Sequence, residues 1–385
     1  MLLQDQVYLP SLGGGNKANR LLIEALAASG HQCRALVSAF TTRAGPTCAE
    51  ELQAEMAGRG IALETREELF CYRHNDVNVE AMNFSSVERM RGHIEKVIEE
   101  FRPDWVLVSD DKRRVLLDVA ASCVPERVIL LIQTVFHLPF GPHATELSSV
   151  QAELMAKARG IVAISRYLKN YLKEYGHLDA GLVYLPVYGA GPFPVRADFY
   201  QGAITMINPC VEKGLDIFLA LAAEFPQLDF MAVPTWGAGE DVIQRLQTVP
   251  NVTIRPAVDD IDEILRDTRV LLAPSLWPET FGYVIVEAML RGIPVIASDS
   301  GGIPEAKLGV DYVIPVRLAE WRNDGYFSPE QDIRPWVQAL EELTRDAEIF
   351  RRCSQASRKA ALEFEPDTRV ENFERYLEAC AAGSC

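Results

Sequence analysis

Two carboxylates bracket a single turn in this chain, Glu279 and Glu287, with seven residues between them. The stretch around them reads as a buried strand over 270–273 closed by Pro274, a turn from Leu276 to Gly282, and a helix over 283–291 that is apolar almost all round. Gly292 stops that helix, and 293–297 begins another strand. A carboxylate inside such a helix is costly unless a hydrogen-bonding partner meets it. Gly282 lets a ligand approach the main chain, and the amides of Phe281, Gly282 and Tyr283 point at an anion seated on the helix N-terminus. One acid then lies beside that anion and the other two turns deeper. The competing structural assignment is an i, i+4 pair between Glu287 and Arg291, with Glu279 held by the helix dipole.

A second anion position lies upstream. Residues 203–207 read as a strand, 208–214 as a turn and 215–223 as a helix, so Lys213 stands just before a helix N-terminus. A fixed ammonium there makes charge-assisted hydrogen bonds to a diphosphate of roughly 1.5–3 kcal/mol each. A solvent-exposed lysine at a helix start is the plain alternative. Near the chain start, a strand over 6–9 leads into a glycine loop, Gly13, Gly14 and Gly15, and a helix over 17–29. This is neither GxGxxG nor a P-loop, so a tight turn and a ligand contact both stay open on these residues alone. Asp110 and Asp111 follow a strand over 105–109, where a pair of acids serves as a metal site or as a helix N-cap; the cap is favoured. The loop 133–143 carries two of the six histidines, His137 and His143, and 70–83 reads as a surface loop.

The residues 203–305 resemble the donor-binding signature of family-4 retaining glycosyltransferases of the GT-B type: Pro274-Ser275, then Glu279-Thr-Phe-Gly282, then Glu287-Ala-Met, and Gly301-Gly-Ile-Pro-Glu305 downstream. The resemblance implies a nucleotide-diphosphate sugar as donor, with Glu279 and His137 positioning the sugar. It gives Thr280, the Phe281-Gly282 backbone and Tyr283 to sugar hydroxyls or phosphate, Glu287 to the ribose, and Lys213 to the diphosphate. The loop carrying Gly14 and Gly15 would face the donor phosphates. Family members carry an arginine where this chain has Asn208, so one of two diphosphate contacts is in question, with Arg255 or Lys17 as the substitute cation. The departing diphosphate would be stabilised without a metal or other cofactor, and the anomeric configuration would be retained.

The elements that must position these residues alternate strand and helix in both halves, with a Pro/Gly-rich linker between. The expected fold is α/β, GT-B: two doubly wound Rossmann-like domains facing across a cleft. Residues 1–187 form the acceptor-side domain, 188–200 the linker, 201–365 the donor domain, and 366–385 a helix that crosses back to the first domain. The length of 385 residues and 48% hydrophobic content suffice for two cores, and the net charge of −16 argues against nucleic acid and anionic membrane as partners. No run of roughly 18 apolar residues and no basic leader is present, which places the protein in the cytoplasm. Eight scattered cysteines without a CxxC pair and histidines without HxH or HExxH spacing suggest neither a disulfide framework nor a metal site. The acceptor is a small molecule or a glycan. A non-catalytic nucleotide-sugar-binding subunit, a nucleotide-sugar epimerase and, least well, a nicotinamide oxidoreductase are the alternatives.

Overall fold

The computed structural model of the chain describes residues 1–41, 45–109, 115–322 and 325–383. Asp110 and Asp111 lie outside the described residues. Two compact units form, one from residues 1–187 with 367–385 and the other from 188–366.

The first unit is built on nine strands: β1 (Leu2–Gln4), β2 (Cys33–Ser38), β3 (Glu64–Arg66), β4 (Leu69–His74), β5 (Val77–Met82), β6 (Val106–Ser109), β7 (Val128–Ile132), β8 (Gly160–Ala163) and β9 (Gly181–Leu182). Their order is β3-β4-β5-β2-β1-β6-β7-β8-β9. From β5 to β9 all pairs are parallel, with Leu2 opposite both Ala35 and Leu107. The first strand is Leu2–Gln4 and not the 6–9 run, although Val7, Tyr8 and Leu9 are also buried. The side-chain amide of Gln4 donates to the carbonyls of Gln6 and Val7 (3.3 Å each), and the Ser38 amide also donates to Gln6 O (3.2 Å). Those carbonyls are satisfied in a loop, so the apolar run needs no ladder.

Residues 69–82 are an antiparallel hairpin where the sequence reads as a loop. Asn75 and Asp76 both have positive φ (44° and 62°), which suits the two-residue turn whose twist matches paired strands. Phe70 and Tyr72 on one strand and Val77, Val79 and Ala81 on the other are buried at period two. The helix Val370–Ala381 packs on this unit: Tyr376 Oη donates to Ile161 O (3.1 Å) and Arg159 Nε to Cys380 O (2.8 Å).

The second unit carries six strands, β10 (Ala203–Ile207), β11 (Phe230–Val233), β12 (Val252–Ile254), β13 (Thr268–Ala273), β14 (Val295–Ser298) and β15 (Val313–Ile314). They run all parallel in the order β12-β11-β10-β13-β14-β15. Val270, Leu271 and Leu272 are fully buried, as a strand covered on both faces requires. Thr205 stands opposite Leu271, so β10 and β13 are neighbours and their carboxyl ends open side by side. A short hairpin follows, β16 (Glu320–Arg322) with β17 (Gly325–Phe327). Residues 188–200 pack on this unit through Arg196 N to Arg291 O (2.9 Å) and Arg358 Nη2 to Phe193 O (3.0 Å). Among the described residues no helix is long and apolar enough to cross a membrane.

Candidate functional site

At the carboxyl ends of β10 and β13 the chain brings Lys213 and Glu279 into contact, Nζ to Oε1. Ser275 Oγ donates to the same carboxylate oxygen at 2.9 Å. Both charged side chains are mostly buried, 17% and 19% exposed, so the pair is screened far less than a surface ion pair. Their meeting depends on Gly214. Its φ is +87°, and a Cβ there would stand 2.1 Å from Pro274 O, so only glycine lets the turn after β10 lie against the turn after β13. Leu276 N then donates to Glu212 O (2.9 Å), fastening the two turns together. On the other side of Glu279, Gly301 also has positive φ (+59°), and its Cβ would lie 2.2 Å from Glu279 O. The downstream Gly301-Gly302 pair is thus the seat of the acid's backbone, with Gly302 N donating to Glu279 O (2.6 Å).

Around Lys213 stands an aromatic group that sequence reasoning missed. The ammonium lies over the Trp277 ring at 5.6 Å, close enough for a cation–π attraction. Trp236, in the turn after β11, meets Trp277 edge to face at 6.2 Å, and Tyr326 of β17 meets it at 5.3 Å. The available signal was Trp277 itself, two residues from Glu279. Its partners lie 41 positions before it and 49 after, too far along the chain for a local pattern to join them.

The helix Tyr283–Leu290 begins directly after Gly282, so the backbone donors of its first turn open at the same end of the sheet. Phe281 is buried against Tyr283 and Phe364 (5.8 and 5.9 Å), which fixes the turn that carries Thr280. Glu287 lies on this helix and is only 9% exposed. Arg291, one turn on, donates from Nη1 to Glu287 O (2.8 Å) and pairs through Nε with Asp262. Burial pushes the Asp262 carboxyl up, but Arg291 and Arg196 outweigh that and hold it below its ordinary range. Tyr188 belongs beside this acid. Its buried hydroxyl has no hydrogen-bond partner among the described residues, and burial first, then the Glu287 charge, raises its pKa well above the usual phenol value.

Asn208 ends β10 in the left-handed region (φ 57°), which asparagine tolerates better than most residues. Its Oδ1 accepts from Gly237 N (2.9 Å), pinning the glycine turn after β11, and its Nδ2 is buried without a partner among the described residues. Arg255 follows β12, two strands from β10, and faces Asp267 at 3.5 Å, before the start of β13. Lys213 and Glu279 are therefore brought together, and Arg255 is not among their hydrogen-bond or ion-pair partners.

In the first unit, Gly14 and Gly15 form the opening turn of the helix Gly14–Ala28, three residues earlier than the sequence suggests. Asn16 accounts for the early start: its Oδ1 accepts from Gly13 N (3.0 Å) while its Nδ2 donates to Val7 O (3.3 Å). Lys17 follows in that first turn. His137 lies in the loop after β7 and lines a crevice at the carboxyl ends of β6 and β7 with Ser109, Gln133 and Met155. Among the described residues no group of three or more His, Cys, Asp or Glu is arranged to hold a metal ion.

Residues 200–346 match the family described as Glycosyl transferases group 1. The sulfoquinovosyl transferase SQD2 of Arabidopsis thaliana is 27% identical over 173 residues, 44% of this chain and 32% of that protein. The chain spans less than half the length of such curated relatives. Among solved structures, sucrose-phosphate synthase from Thermosynechococcus elongatus superimposes with a TM-score of 0.70 at 16% identity, over 99% of this chain and 98% of that one. The Anabaena protein HepE, in complex with UDP-glucose, gives 0.66 at 16% identity over the same shares. The fold is thus that of the GT-B glycosyltransferases, α/β with parallel sheets in two domains.

Proposed function

We propose that this chain is a retaining glycosyltransferase that moves a sugar from a nucleotide-diphosphate sugar to an acceptor hydroxyl without a metal ion. The observation that carries the reading is the Lys213–Glu279–Ser275 group at the ends of β10 and β13, beside the N-terminus of the helix that bears Glu287. The match of residues 200–346, which include all four, supports it. So does the donor found with HepE, a nucleoside diphosphate sugar.

In this reading the diphosphate sits against Lys213 and the first-turn amides after Gly282, which gain strength as negative charge gathers on the leaving oxygen. With the ammonium engaged by phosphate, Glu279 is freed to accept from a sugar hydroxyl, still steadied by Ser275. Glu287 takes the ribose hydroxyls, with the Tyr188 hydroxyl near it. The acceptor oxygen attacks the anomeric carbon on the face from which the diphosphate leaves: the C–O bond to phosphate breaks, the new glycosidic bond forms, and the acceptor proton passes to the departing phosphate oxygen. His137 and the Gly14-Gly15 turn are assigned to the sugar and phosphate from the resemblance, with Thr280 and Tyr283 as further donor contacts. Asn208 acts as a turn anchor in place of an arginine, which leaves Lys213 the main cation of the site, with Arg255 and Lys17 as the substitute cations the resemblance offers. The acceptor side is given to the first unit and the place of work to the cytoplasm, in keeping with seven free thiols among the described residues.

The test is transfer itself. Incubation with UDP-, GDP- and ADP-glucose and a hydroxyl acceptor should release free nucleotide and an α-glucoside, with activity unchanged by EDTA. A β product rejects retention, and loss with EDTA restored by Mg²⁺ or Mn²⁺ rejects metal independence. Tight donor binding with no turnover favours the non-catalytic reading that Asn208 keeps in view.

A further inference from the structure

The Lys213–Glu279 pair is built differently from the other buried ion pairs among the described residues. Glu24 accepts from Tyr8 Oη (3.2 Å), Arg20 Nη1 (3.2 Å) and Asn75 Nδ2 (2.9 Å). Glu80 accepts from Arg34 Nε (2.7 Å) and lies 2.7 Å from His93 Nε2, and Asp262 is held by both Arg291 and Arg196. Those carboxylates are met from at least two other parts of the chain and are internally spent. Glu279 has the Lys213 ammonium and the Ser275 hydroxyl, and both fall on Oε1; among the described residues none donates to Oε2. The ammonium carries three N–H groups, and its side-chain partners among the described residues are Glu279 and the face of Trp277. Donor and acceptor capacity is therefore left over on both members of the pair. Their meeting is preset by the backbone: Gly214, directly after Lys213, lies against Pro274 O, and Gly302 N donates to Glu279 O (2.6 Å).

Any anion that uses Lys213 must contend with Glu279. A nucleoside diphosphate draws the ammonium to its phosphates and brings negative charge up to a mostly buried carboxylate. Like charges at that range, and a buried carboxylate deprived of its cation, are both strongly unfavourable. A sugar on the diphosphate changes the balance, because a sugar hydroxyl can donate to the carboxylate in the ammonium's place, a charge-assisted bond. Ser275 keeps Oε1 where that hydroxyl can find it. The bare diphosphate offers no hydroxyl at that end. We infer that the Lys213–Glu279 pair separates donor from product: it opens for a diphosphate that carries a sugar and closes again against one that has lost it, so the spent nucleoside diphosphate is held weakly and leaves. The inference rests on the transferase reading for the placement of diphosphate and sugar, and on the geometry of the pair for the competition. The closed pair lowers the apparent affinity of a ligand that cannot replace it by the fraction of molecules in which the ammonium is released.

The experiment uses the full chain, as wild type and as Glu279→Gln, which keeps the size of the side chain and removes its charge. Titration calorimetry gives the Kd of UDP, GDP and ADP and of their glucose conjugates, and circular dichroism reports folding. For the base that binds, Glu279→Gln should tighten the free diphosphate about tenfold and change the glucose conjugate by no more than about threefold. The wild type alone supplies a second readout, since it should bind the conjugate more tightly than the diphosphate. A glutamate that only touches the sugar gives the reverse pattern, with the diphosphate unchanged and the conjugate weakened, and a glutamate that only supports the fold weakens both; either result overturns the proposal. So does a wild type that binds the bare diphosphate as tightly as the conjugate. If the nucleotides bind and Glu279→Gln leaves the diphosphate unchanged, the donor site stands and this role of the pair falls. If none of the six ligands binds the wild type, the donor site falls and the proposal falls with it.

Discussion

The two units use the same scaffold and finish it with different side chains. In each, parallel strands end side by side and a loop leads on to a helix, the place where α/β sheets bind ligands. At the ends of β10 and β13 the chain sets a lysine, a glutamate and a serine hydroxyl in mutual contact, walled by Trp236, Trp277 and Tyr326. At the ends of β6 and β7 it sets leucines and a methionine together with Gln133, His137 and Gln151, with no Asp, Glu, Lys or Arg among the described residues of the lining. The sheet fixes where a site can be, and the few residues after each strand decide which charged and polar groups it offers.

The largest effect expected from breaking this contrast is on Lys213. Lys213→Ala removes a donor whose partner gains charge in the transition state, so turnover should fall about 10²–10³-fold while the circular dichroism spectrum is kept. A variant with normal turnover erases the distinction between the two edges. Next is Glu287→Ala, which should raise the donor KM about 10- to 100-fold with turnover changed only severalfold, because a ribose contact is equal in ground and transition states. The opposite split, normal KM and lost turnover, moves Glu287 into the reacting centre.

Gly214→Ala sharpens the structural side of the comparison. It places a Cβ 2.1 Å from Pro274 O at a φ of +87°. Stability should drop by about 1–3 kcal/mol in a urea titration, with donor binding weakened because Lys213 and Glu279 are no longer held together. Unchanged stability would mean that the two turns move apart easily. The smallest effect is ionic. Raising KCl from about 0.05 to 0.5 M should weaken donor binding a few-fold. Donor binding that does not respond to salt contradicts a site held by the Lys213 ammonium.

Much of this was legible in the sequence where local signals were strong. The strand Ala203–Ile207 is a short apolar run before a turn, and it has the ends the pattern suggests. The helix Tyr283–Leu290 follows its glycine as read. The hairpin 69–82 was hidden because Arg73, His74, Asn75 and Asp76 crowd polar residues at the turn and mask the period of two on either side. Lys213 and Glu279 could each be singled out, but their contact could not: they are 66 positions apart and meet only because β10 and β13 are neighbours and Gly214 admits the approach. The crevice was invisible for the same reason. Its walls come from two strands, a loop and two helices, and of them only His137 stands out singly in the sequence. Tyr188 stood in a stretch read as linker, and its relation to Glu287 depends on that stretch packing on the second unit.

The claim at the centre of this account is that the β10–β13 edge holds a nucleotide-diphosphate sugar. The direct measurement is urea unfolding of the full chain with UDP-, GDP- and ADP-glucose, for wild type and Lys213→Ala side by side. One of these donors, at about 100 times its Kd, should stabilise the wild type by about 2.7 kcal/mol, and the same concentration should do far less for Lys213→Ala. If none of the three stabilises the wild type at concentrations up to about 5 mM, or if the variant is stabilised equally, the assignment of the site is wrong.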